Sequence, residues 1–249
     1  MQYGICPLGI VPIRVEANDA SEMVTQVLYG ETFKILNQQK KWSKIRIEFD
    51  NYEGWIDNKQ YQSINEATFK DLITANPLFN YNLLEYVEDN YKQLYPIPLG
   101  SQLENLKILK HKYEGHFNQP SQDKNKLVET ALRYLNAPYL WGGKTPFGID
   151  CSGFTQMVYK LNGYKLLRDA SQQAKQGDVL SFIEECEPGD LAFFDNLEGK
   201  ITHVGIIMGN HYIIHAHGKV RIDRLDQTGI YNLETKTHTH QLRVLKKII

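Results

Sequence analysis

The reading turns on GIDCSGFTQMVYKL, residues 148–161, and on GKITHVGIIMGNHYIIHAHG, residues 199–218. In the first stretch Phe154, Met157, Val158 and Leu161 recur at the spacing of one helical face. A helix is therefore expected to open at Cys151, capped by Asp150, with Gly153 permitting close backbone approach. A thiol at a helix start meets unpaired N–H groups and the positive end of the helix dipole, which predicts a lowered pKa. In the second stretch, apolar runs on two strands are joined by Gly209-Asn210, a tight hairpin signal. Antiparallel pairing would set His203 and His215 side by side, with Cβ atoms ~5 Å apart. His203 would then take the thiol proton while His215 holds the other ring nitrogen, the arrangement nucleophilic catalysis needs. His217 shares the strand parity of His215 and competes for that third place. Taken alone, Cys151 reads equally well as a small buried apolar residue, and the histidines as ordinary strand residues.

Outward from this centre, residues 121–249 carry an α+β pattern. Leu127, Val128, Ala131, Leu132 and Leu135 predict a helix over 126–135, ended before Pro138. A short polar helix is expected at 171–176. Strands are expected at 190–194, 201–208, 211–216, 220–224 and 241–249. Residues 1–63 read as all β: 27–29 leads to a Gly30 turn and 33–36, then Ile45, Ile47 and Phe49 alternate with polar residues. After an Asp50-Asn51 turn, 52–56 opens another strand, and such short strands suggest a small barrel. Residues 64–120 read as a linker or a degenerate second unit of the same kind, since KYEGHF (112–117) echoes YEGWI (52–56).

Composition narrows the function classes. At 249 residues, more than one domain is expected. A net charge of −1 leaves no basic field for nucleic acid or an anionic membrane, so neither is expected as a partner. No apolar run is long enough to span a bilayer. No Lys or Arg precedes the first apolar stretch, so a cytoplasmic location is expected, or export if a leader precedes this sequence. Three cysteines without a CxxC pair indicate neither a disulfide framework nor a metal site, and the chemistry above requires no metal or organic cofactor. Cys186 reads as a spectator, and His238 and His240 as exposed.

YLWGG (139–143), DCSGF (150–154), RDASQQ (168–173), PGDLAFF (188–194), THVGI (202–206) and HA (215–216) together resemble the NlpC/P60 family of papain-like cysteine peptidases. QVLYGETFKIL, WSKIRI and YEGWID in the first sixty residues resemble bacterial SH3-like domains. The resemblance implies Cys151 as nucleophile, His203 as base and His215 as orienting residue. It implies Tyr139, Trp141, Asp150 and Ser152 along the substrate cleft, and a substrate-contacting Ser171. Cys151 N–H and Tyr139 would form the oxyanion hole. The chain is similar to the γ-D-glutamyl-L-diamino acid endopeptidases, dipeptidyl-peptidase VI among them, which join SH3-like domains to the peptidase and recycle murein peptides. That subgroup implies a peptide substrate beginning L-Ala-γ-D-Glu. Its free α-amine would meet acidic and tyrosine side chains of the SH3-like unit, here Tyr52 and either Glu22 or Glu16. Two other readings stand beside it: a secreted endopeptidase or amidase acting on intact wall, and a non-catalytic wall-peptide binding protein.

Overall fold

The computed structural model describes residues 2–249, in two compact units. One comprises residues up to 120 together with 141–145; the other comprises 121–140 and 146–249.

The N-terminal unit opens with seven strands: β1 (Gln2–Ile5), β2 (Ile10–Arg14), β3 (Met23–Leu28), β4 (Thr32–Gln38), β5 (Trp42–Ile47), β6 (Glu53–Asp57) and β7 (Gln62–Ile64). They form one antiparallel sheet in the order β3-β2-β6-β5-β4-β1-β7. The alternation in β5 is a true inside–outside pattern. Ile45 and Ile47 are buried with Val11, Ile13, Val27, Phe33 and Ile56. The expected turn follows: Asp50 Oδ1 accepts from Tyr52 N at 3.0 Å, and Asn51 takes φ +59°.

Residues 66–118 add α1 (Glu66–Thr74), β8 (Phe79–Asn80), β9 (Leu84–Glu88), β10 (Leu94–Pro98), α2 (Leu106–Leu109) and β11 (Phe117–Asn118). Their strands pair as β9–β10 and β8–β11, with single bridges from Phe79 to Gln102 and from Glu88 to Lys112. Val87, Ile97, Leu103 and Leu109 share a core with Ile5 and Tyr29 of the first sixty residues. The same unit takes in β12 (Lys144–Thr145). Buried Lys144 lies 3.3 Å from Glu31, and its backbone N–H donates to Gln26 Oε1 at 2.8 Å.

The second unit begins with α3 (Lys126–Leu132), shorter than its periodicity predicts. The N–H groups of Arg133, Tyr134 and Leu135 bond three residues back, and Asn136 adopts φ +68°, so the helix tightens and stops. Then come β13 (Gly148–Ile149), α4 (Cys151–Leu161), α5 (Ala170–Gln173), β14 (Asp178–Leu180), β15 (Leu191–Asp195), β16 (Ile201–Gly209), β17 (Tyr212–His217), β18 (Lys219–Leu225), β19 (Gly229–Asn232) and β20 (Thr237–Lys247). The order is β14-β20-β15-β16-β17-β18-β19, and β19 also pairs with β20, so six strands close into a barrel. Strands β14 and β19, of three and four residues, are too short to show a period and went unforeseen. Helix α4 packs on β16 and β17. Its apolar spacing suggested a single buried face, yet all eleven residues are buried. Its polar members find partners: Thr155 Oγ1 donates to Gln173 Oε1 at 2.7 Å, and Gln156 Nε2 to Leu166 O at 3.1 Å.

Candidate active site

Cys151 is the first residue of α4, and Asp150 caps it by accepting from Gly153 N at 2.7 Å. The Cys151 thiol lies 3.9 Å from Thr202 O and receives a hydrogen bond from the Val204 amide. Sγ therefore sits against β16 at the two residues flanking His203. The expectation of a lowered thiol pKa does not hold. Burial and the Asp150 charge push Cys151 up to about 12, outweighing the amides of Val204 and Ser152 and the charge of Arg168.

Asp150 does more than cap. Both oxygens are held by Arg168, whose Nη2 donates to Oδ2 at 2.6 Å and Nη1 to Oδ1 at 3.0 Å. Arg168 is 1% exposed and also donates to Ser152 Oγ at 3.0 Å. The first residue of the RDASQQ motif thus ties the turn before α5 to the start of α4. Ser171 is exposed in the first turn of α5. The Tyr139 hydroxyl is raised to about 12, by burial first and then by Cys151 and Asp150, which puts it in their electrostatic neighbourhood.

His203 and His215 are both buried, with His203 Nε2 2.8 Å from His215 Nδ1. They are not directly opposed as the hairpin reading supposed. The register sets Gly205 across from His215, so the histidines meet on the diagonal. Gly205 leaves the room: a Cβ there would stand 2.9 Å from that of His215. His217 is exposed, and its ring centre is 6.4 Å from that of His203. Burial first, then His215, His240 and His217, drives the His203 pKa well below its usual value.

Two neighbours were missed in the sequence. Asp223 on β18 lies 3.1 Å from His215 Nε2. Its carboxyl is pushed up by burial but held down at about 2 by hydrogen bonds from His215, Arg221 and the Leu233 amide. The available signal was an acid inside the alternation Val220-Arg221-Ile222-Asp223. His240, expected to be exposed, stacks on His203 with ring centres 4.1 Å apart. It comes from β20, far along the chain, and no local pattern announced it. His238 pairs with Asp226 at 2.8 Å. Among the described residues, no group of three or more His, Cys, Asp or Glu side chains is arranged to hold a metal ion.

The remaining candidates lie in the N-terminal unit. Trp141 Nε1 donates to Glu22 Oε1 at 2.7 Å, so two residues singled out separately are partners. Glu16 is exposed. Tyr52 is half-buried against the first sheet's core.

A closed barrel carrying paired histidines, with a helix-opening cysteine beside them, defines a papain-like thiol peptidase unit. Residues 136–240 match the NlpC/P60 family, and residues 13–60 match the bacterial dipeptidyl-peptidase SH3 domain. A γ-D-glutamyl-L-lysine dipeptidyl-peptidase of Bacillus subtilis is 31% identical over 77% of this chain and 71% of its own. Dipeptidyl-peptidase 6 of Lysinibacillus sphaericus is 27% identical over 83% and 86%. An NlpC/P60 protein of Bacillus cereus has the same fold, with TM-score 0.78 at 18% identity over 99% of both chains. The chain belongs to the NlpC/P60 family of cysteine peptidases, with an N-terminal SH3-like region.

Proposed function

We propose that this protein hydrolyses the bond between γ-D-glutamate and the following diamino acid in peptidoglycan-derived peptides that begin with a free L-Ala. Its place would be murein peptide recycling in the cytoplasm. The observation that carries the reading is the Cys151 thiol beside β16 at 202–204, with the His203–His215 pair at 2.8 Å. Similarity to γ-D-glutamyl-L-lysine dipeptidyl-peptidases over most of the chain supports the substrate class.

Cys151 Sγ attacks the γ-carbonyl carbon as its proton passes to His203, forming the C–S bond of a tetrahedral intermediate. The Cys151 backbone N–H and the Tyr139 hydroxyl receive the oxyanion charge. His203 then gives its proton to the departing amine, and the C–N bond breaks. Water, deprotonated by His203, hydrolyses the thioester and releases the dipeptide and the free thiol. His215 holds His203 in orientation through the reaction. Asp150, Ser152, Ser171 and Trp141 are assigned to substrate binding, with Glu22 and Tyr52 assigned to the free α-amine.

The test is mass-spectrometric assay of L-Ala-γ-D-Glu-L-Lys and its diaminopimelate counterpart, each with free and acetylated alanine, beside Cys151→Ala. Cleavage after γ-D-Glu of the free-amine peptides alone, lost in the variant, is the expected outcome. Equal cleavage of acetylated peptides would move the activity to a general wall endopeptidase. No cleavage of any peptide would favour a binding protein.

A further inference from the structure

The proton positions along the histidine pair follow from its far end. Asp223 is wholly buried, and Arg221 grips it twice, Nε to Oδ2 at 2.6 Å and Nη2 to Oδ1 at 3.1 Å. Leu233 N donates to Oδ1 at 3.0 Å. Ringed by these donors, the carboxylate is ionised and can only accept. The His215 Nε2 that lies 3.1 Å from Oδ2 must therefore carry a proton. Burial, with Arg221 and His217 close by, opposes a positive charge on His215, so its Nδ1 keeps a lone pair. His203 Nε2, 2.8 Å from that lone pair, can only donate to it.

We propose that Asp223, backed by Arg221, is a positioning residue that fixes both histidines as Nε2–H tautomers and leaves His203 Nδ1 as the nitrogen that takes the Cys151 proton. This rests on the reading of Cys151 and His203 as nucleophile and base. When the thiol proton arrives at Nδ1, His203 becomes an imidazolium whose Nε2–H still points at His215. The positive charge is then balanced through His215 by the Asp223 carboxylate. No proton has to move onto Asp223, and His203 returns the same proton to the leaving amine.

Nitrogen-15 imidazole spectra of the intact chain at neutral pH test this directly, assigned with His203→Gln and His215→Gln. The expected spectrum has Nε2 protonated and Nδ1 bare in both residues. In Asp223→Asn the side-chain amide can donate to His215 Nε2 instead, which reverses the chain of tautomers. There kcat for the tripeptide is expected to fall at least ~100-fold while KM stays within about twofold. A protonated His203 Nδ1 in the natural protein would overturn the assignment, as would an Asp223→Asn protein with unchanged tautomers and kcat. If that variant does not fold, the natural protein's spectrum decides alone. The expected spectrum from a protein that cleaves no peptide would uphold the tautomers and sink the functional reading instead.

Discussion

Cys151 and His203 are both buried, and burial moves the two groups in opposite directions. Burial raises the thiol to about 12 and lowers the imidazole well below its usual value, so the resting pair is neutral. On the proposed roles of nucleophile and base, the proton moves as the sulfur attacks, and activity requires His203 unprotonated. Lowering the pH protonates His203 only once its depressed pKa is reached. The acidic limb of kcat/KM is therefore expected below the ordinary histidine pKa of about 6.5. A limb at or above that value, measured on the free-amine tripeptide, would contradict a buried neutral base. Stability should follow in the same direction. His203, His215 and His240 all have folded pKa values below those of the unfolded chain, with His240 down at about 4. The unfolded state thus binds more protons as the pH falls below about 6.5, and folding free energy is lost through that window. Residue type and neighbours made Cys151 and His203 candidates, and the ordered family motifs tipped the reading toward chemistry. The inverted pKa of the thiol could not, because burial is a property of the packed barrel.

Helix α4 is held at its first turn by a buried ion pair as well as by a cap. Replacing Asp150 with Ala removes the acceptor for Gly153 N and the carboxylate that takes two hydrogen bonds from a guanidinium 1% exposed. A loss of about 3–5 kcal/mol in chemical denaturation is expected, well above the ~1 kcal/mol of a cap alone. A loss near the smaller figure would mean that Arg168 finds another partner or reaches water. The existence of α4, of the β16–β17 hairpin and of strands β5 and β6 was legible because each carries its own period or turn. Gly209 and Asn210 do take positive φ as the hairpin signal required. The diagonal meeting of His203 and His215 was not legible, since the turn extends to a third positive-φ residue, His211, and shifts the register. The shortness of α3 was equally hidden, because its apolar spacing continues past the point where the backbone tightens.

At the scale of the whole chain, residues 141–145 belong to the N-terminal unit although they are flanked on both sides by the peptidase unit. Lys144 and Glu31 form an ion pair in that unit's interior, with side chains 0% and 2% exposed. Glu31→Gln is expected to destabilise the N-terminal unit by about 3 kcal/mol, because it neutralises the carboxylate paired with a buried ammonium. Differential scanning calorimetry checks this, and an unchanged unfolding transition would show that Lys144 is charged only weakly or is hydrated. The ordered motifs from YLWGG to HA, with the SH3-like strings before them, were enough by themselves to determine the family and the α+β class, and they made Cys151 and His203 the candidates for nucleophile and base. These are carried by local spacing and by residue types that few other folds need in that order. Asp223 behind His215, His240 against His203, Arg168 across Asp150 and Glu31 under Lys144 were decided only by the tertiary structure. Each joins residues on different elements, and closing the six-stranded barrel or burying a charge beside its partner depends on three-dimensional register that no linear period encodes.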